Sequence, residues 1–69
     1  YRKRREEQVR RLARRVAEQV ADTQRSQALE PMPPNERRFA HIELKDNHQV
    51  YTESEGADPN RKVVIHPSE

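Results

Sequence analysis

Pro33-Pro34-Asn35-Glu36-Arg37-Arg38-Phe39-Ala40-His41-Ile42-Glu43-Leu44-Lys45 decides how this chain folds, because it sets a helix between two regions that read as strands. Proline is tolerated in a helix's first turn, where its missing N–H has no partner to lose. Asn35 is placed to cap the exposed donors that follow. The helix is expected to run from about Pro34 to Lys45 and to stop at Asp46-Asn47. At about 100° per residue, Phe39, Ala40, Ile42 and Leu44 gather on one side together with Glu43. Arg37, Arg38, His41 and Lys45 gather on the other. One face is therefore read as core, and the other carries three fixed cations and an imidazole, the chemistry of a phosphate-binding surface.

Upstream, residues 2–22 hold Val9, Leu12, Ala13, Val16, Ala17 and Val20 at i, i+3, i+4, i+7, i+8 and i+11. That apolar stripe predicts a core-facing helix. Its first turns, Arg2-Lys3-Arg4-Arg5, precede the stripe and are expected to project from the domain or emerge from a preceding one. Gln27-Ala28-Leu29-Glu30 reads as a short strand, closed by Pro31-Met32-Pro33-Pro34, which cannot continue a sheet interior. Downstream, Gln49-Val50-Tyr51-Thr52-Glu53-Ser54 alternates as a strand does, and Arg61-Lys62-Val63-Val64-Ile65-His66 is the strongest strand signal. The turn-rich Gly56-Ala57-Asp58-Pro59-Asn60 joins these two into an antiparallel hairpin. The order is α-β-α-β-β, an α+β fold with two helices packed on one face of a three-stranded sheet.

A chain of 69 residues is one small domain, and at this size folding buries only about 60% of the unfolded surface. There is no cysteine, so neither disulfides nor thiolate metal sites hold it together, which fits a reducing cytoplasm. The longest uncharged apolar run, Val63-Val64-Ile65, is far too short for a membrane span. The chain opens on Tyr1 directly into charged sequence and reads as a piece of a longer protein. Residues 1–25 carry nine Lys/Arg against four Asp/Glu, a net +5, and residues 26–69 carry a net −3. Eleven of the fourteen cations are arginine, whose planar donor fork matches phosphate or carboxylate oxygens.

Several stretches, taken in order, resemble the Arg-xxx-His (R-three-H) domain in the version found at the C-terminus of bacterial Jag/KhpB proteins. They are Tyr1-Arg2-Lys3-Arg4-Arg5-Glu6-Glu7, Leu29-Glu30-Pro31-Met32, Glu36-Arg37-Arg38 with His41, Ser54-Glu55-Gly56, and Pro59-Asn60-Arg61-Lys62-Val63-Val64-Ile65. The resemblance implies a module that binds single-stranded nucleic acid, usually RNA. It also implies a KH domain upstream in the same chain and, in some cases, a small KH-domain protein as partner. Arg37 and His41 take the signature positions. This sequence departs from the pattern at Asn35, where an aromatic residue or alanine is common, at Phe39 in place of Ile or Val, and at Glu43 on a usually small apolar site.

Arg37 is the leading candidate for a phosphate clamp, against a structural salt bridge to Glu30, Glu36 or Asp58. His41 is expected to donate to a phosphate or stack under a base, against a solvent-facing or structurally bonded imidazole. Arg37 and Arg38 would disfavour its protonation. Arg38 and Lys45 are candidates for sequence-independent backbone contacts. Of Arg61 and Lys62, alternation lets at most one share the surface of Arg37, and the resemblance favours Arg61. Tyr1, Phe39 and Tyr51 are too few for a multi-base stacking platform, so recognition should rest on phosphates. His41, His48 and His66 lack metal-ligand spacing, and one glycine rules out a glycine-rich phosphate cradle. Ser54 with His41 and an acid lacks a nucleophile elbow, so neither an enzyme, a metal site nor a cofactor is expected. The competing reading is a protein- or membrane-surface module built on the basic first helix, through Arg4, Arg11, Arg14 and Arg15. That face is otherwise read as solvated and paired with Glu7 and Glu18.

Overall fold

The apolar stripe of the first helix finds its core. A computed structural model describes residues 2–57 and 60–68, with Arg2 and Lys3 described by backbone alone. Helix α1 (Arg2–Thr23) buries Val9, Ala13, Ala17 and Val20, with Leu12 and Val16 half-buried against them. It ends without glycine. Gln24 takes a left-handed φ of 61°, and its backbone N–H donates to the Val20 carbonyl at 2.8 Å. The Gln24 side-chain amide donates to Ala21 and the Thr23 hydroxyl to Gln19, which satisfies two more of the carbonyls a helix end leaves open.

Three strands follow the expected order, β1 (Gln27–Ala28), β2 (Val50–Glu55) and β3 (Lys62–Pro67), with α2 (Pro34–Leu44) between the first two. The sheet is antiparallel in the order β1-β3-β2, so the most apolar strand is central. Val63 and Ile65 face the helices and are fully buried. Strand β1 is shorter than the sequence suggests. Leu29 donates its N–H to Val63 at 2.8 Å and then turns its side chain into the core, while the prolines end the pairing. Both helices cover one face, giving the α+β architecture read from the sequence.

Helix α2 differs in two respects. Asn35 lies inside the helix, and Pro33 is the N-cap, with no side-chain cap bond; its carbonyl receives the N–H groups of Glu36 and Arg37, each at 3.1 Å. The buried face is Arg37, Ala40 and Leu44, with Phe39 at its margin and Ile42 43% exposed. The helix is thus rotated about a quarter turn from the expected wheel. Nor does the whole first turn of α1 project, because the Arg5 guanidinium lies 3.0 Å from Glu36 and 3.9 Å from Glu30.

Gly56, after β2, has a φ of 96°, and a Cβ there would lie 3.2 Å from the Asn60 carbonyl oxygen. Both facts demand glycine at that point. Asn60 donates its N–H to Ala57 at 2.8 Å. Asp58 and Pro59, named in the expected turn, lie outside the described residues.

Candidate functional site

Residues four apart stack on a helix, so α2 sets His41 one turn beyond Arg37 on the flank that meets β2. Strand β2 answers with its inner face. Thr52 and Ser54 point toward the helices, opposite Ile65 and Val63, while Tyr51, Glu53 and Glu55 point outward. The imidazole bridges the two hydroxyls, with Nδ1 2.6 Å from Thr52 Oγ1 and Nε2 3.0 Å from Ser54 Oγ. An N–H donor to oxygen usually spans about 2.7–3.2 Å, and hydroxyl donors make shorter bonds. The neutral ring carries one N–H, and each hydroxyl can donate or accept, so both tautomers satisfy the two contacts. The His41 pKa is lowered from its ordinary 6.5, first by burial and then by the Arg37 guanidinium. The neutral ring is the resting form.

Arg37 is only 9% exposed, and its NH1 donates to the Met32 carbonyl at 2.7 Å. The Met32 N–H in turn donates to the Arg61 carbonyl at 3.1 Å, and Arg61 NH1 donates to Gly56 at 2.8 Å. Arg37 therefore ties the proline segment to the mouth of β3. The expectation that it juts into solvent beside His41 is corrected, because the rotated helix carries it inward.

The two flanks of α2 differ in charge. Toward α1, Glu36 meets Arg5, and Glu43 meets Arg10 at 3.3 Å and Arg14 at 3.1 Å. Glu43, an acid on an expected apolar position, is stabilised by this arginine fork. On the outer side next to His41, Arg38 and Lys45 are exposed and have no ion-pair partner among the described residues. Lys62 pairs across from Glu55 on the outer face of the sheet, away from His41, so of the two β3 cations it is Arg61 that lies at the Arg37 end.

A family model of the R-three-H domain matches residues 7–67. The chain belongs to the R-three-H domain family. It is 48% identical over 65 residues to the RNA-binding protein KhpB of Lactiplantibacillus plantarum, covering 94% of this chain and 20% of that protein. It is 46% identical over 65 residues to the RNA-binding protein KhpB of Clostridium symbiosum, covering 94% and 29%. To the RNA-binding protein KhpB of Bacillus subtilis it is 45% identical over 67 residues, covering 94% and 32%. The chain thus spans between a fifth and a third of the length of these relatives.

In this R-three-H domain the residues that sequence reasoning misses are the hydroxyls. The sequence marks Thr52 only as strand, and Ser54 as strand end, as part of Ser54-Glu55-Gly56 and as a discounted nucleophile, with no role for either beside His41. Strand alternation makes both inward-facing, and polar side chains on an inner face signal a partner. The Ser54–His41 contact has the look of a hydrolytic dyad without its third member. No carboxylate orients the ring among the described residues; Thr52 does. On the opposite sheet face, His66 is held by Ser26 at 2.7 Å and Glu53 at 2.9 Å and stacks on Tyr51 at 5.0 Å. Glu53, Glu55 and His66 bring ligand-type atoms within 4.8 Å of one another there, an exposed grouping that the sequence spacing does not show.

Proposed function

We propose that this R-three-H domain binds single-stranded nucleic acid, RNA foremost, through backbone phosphates, as the accessory module of a KH-containing bacterial RNA-binding regulator. The match over 94% of the chain to proteins named as RNA-binding carries the reading. The site adds a surface of the right sign. Arg38 and Lys45 flank His41, Arg61 lies at the far end, and Arg37 raises the potential from beneath while fixing the backbone around Met32. Lys62 faces away and contributes only from the far face of the sheet. A phosphate-tracking surface with few aromatics gives modest, salt-sensitive affinity and little base preference. An upstream KH domain supplies base reading and raises the effective concentration, and a small KH-domain protein is a fitting second partner. The site asks for neither a cofactor nor catalysis. A cytoplasmic setting suits an RNA ligand, and among the described residues no helix is long and apolar enough to cross a membrane.

The test is fluorescence anisotropy with labelled short single-stranded RNA at several salt concentrations. The combined Arg38→Ala, Lys45→Ala and Arg61→Ala variant should bind more weakly and with a shallower salt dependence. The logarithmic slope should fall by about 0.7 for each phosphate that is no longer neutralised. Equal binding and equal slope would overturn the reading. A second reading, a protein- or anionic-surface module on α1, is favoured by Arg4, Arg11 and Arg15, which are exposed. The expected pairs with Glu7 and Glu18 do not form among the described residues. Amide shift changes confined to residues 4–15 on adding RNA would support it over the α2 surface.

A further inference from the structure

We infer that the Ser54 hydroxyl is a phosphate-oxygen donor of the interface, its proton turned outward by His41, which acts as a positioning residue. This rests on the nucleic-acid reading above. A serine hydroxyl has one proton and two acceptor lone pairs. With the proton on Nε2, the 3.0 Å contact occupies one Ser54 lone pair and leaves the Ser54 proton unused by the ring. Among the described residues Ser54 has no further hydrogen-bond partner, and its side chain is half-buried and reachable from solvent. The hydroxyl is therefore oriented on one side and free to donate on the other.

Thr52 sets that orientation. In the assigned Nε2–H tautomer it donates to Nδ1 across 2.6 Å, a length usual for an O–H donor and short for an N–H donor. The sequence of bonds is Thr52 O–H to Nδ1, then Nε2–H to Ser54 Oγ, then the Ser54 O–H outward. Helix α2 runs antiparallel to β2 here, because Arg37 connects through Met32 to Arg61 at the opposite end from Thr52. Ser54 accordingly lies on the Arg61 side of His41. The carboxylates on either side of Ser54 in the strand, Glu53 and Glu55, point to the other face. A neutral donor placed between cations discriminates a phosphate oxygen by geometry as well as by charge.

The experiment has two arms on the 69-residue chain. Long-range proton–nitrogen correlation spectra of the free domain should show the Nε2–H tautomer of His41 in the wild type. In Thr52→Val, which leaves Nδ1 without its donor, the Nδ1–H form should become populated and RNA binding should weaken. Anisotropy with the same labelled RNA should show Ser54→Ala weakened by about three- to tenfold, the worth of one hydrogen bond. Its salt slope should be unchanged because no charge is removed. Ser54→Thr should restore binding, and thermal melts establish that each variant is folded. An Nδ1–H tautomer in the wild type, or Ser54→Ala binding as tightly as wild type while the cation variant fails, would overturn the assignment and leave the nucleic-acid reading standing. If the cation variant also binds as the wild type does, that reading falls and the assignment with it.

Discussion

His41 shows how much a residue's meaning depends on its neighbours. Its sequence position marks it as a phosphate donor or a base-stacking ring, but burial first and then the Arg37 guanidinium favour the neutral form. The lowered pKa has a thermodynamic consequence. A base whose folded pKa lies below the unfolded value near 6.5 gives stability that is fully present above 6.5 and is lost as pH falls through the folded value. Thermal melts between pH 8 and pH 5 should therefore show the wild type losing stability as the pH falls below 6.5. His41→Gln, which cannot titrate, should show a flatter profile over that interval. Parallel profiles would mean that the ring charges without cost in the fold. Arg37 teaches the same lesson from the opposite side. Its type suggests solvent, yet its stem packs inward and its guanidinium finds the Met32 carbonyl.

At the scale of elements, hydrophobic period and turn chemistry are legible where the pattern is unbroken. The α1 stripe and the β2–β3 alternation come through, because each buries a clean apolar set against the same core. Helix α2 is legible as a helix but not in its rotation. Glu43 and Glu36 are half-buried acids answered by arginines of α1, and a helical wheel read in isolation cannot see partners from another element. The end of α1 is likewise hidden, since Gln24 occupies a conformation that usually calls for glycine. A non-glycine residue there carries a steric cost of about 1–2 kcal/mol, partly offset by the side-chain bond to Ala21. Gln24→Gly is expected to raise stability, by about 0.5–1 kcal/mol after the extra freedom of glycine in the unfolded chain is counted. Chemical denaturation measures this directly, and a destabilised variant would show that the amide bond matters more than the backbone relief.

For the molecule as a whole, the sequence's charge asymmetry acquires a division of labour. Part of the basic excess in α1 is turned inward, with Arg5, Arg10 and Arg14 neutralising the acids on one flank of α2. That leaves Arg38 and Lys45 on the other flank exposed and in no ion pair among the described residues. The two uses of charge differ in their response to salt. The internal pairs are partly exposed, and such pairs are worth about 0–1 kcal/mol each, so screening them moves the folding equilibrium little. Apolar burial by Val9, Val20, Val63 and Ile65 carries the fold and is not screened at all. Nucleic-acid association, by contrast, displaces condensed counterions and weakens along the whole salt range. Between about 50 and 500 mM salt, the denaturation midpoint should shift only slightly while RNA affinity falls by roughly tenfold or more for two or three phosphate contacts. A melting temperature that collapsed in parallel with affinity would mean that the inter-helix ion pairs hold the domain together, and that the exposed cations act on stability rather than on a ligand.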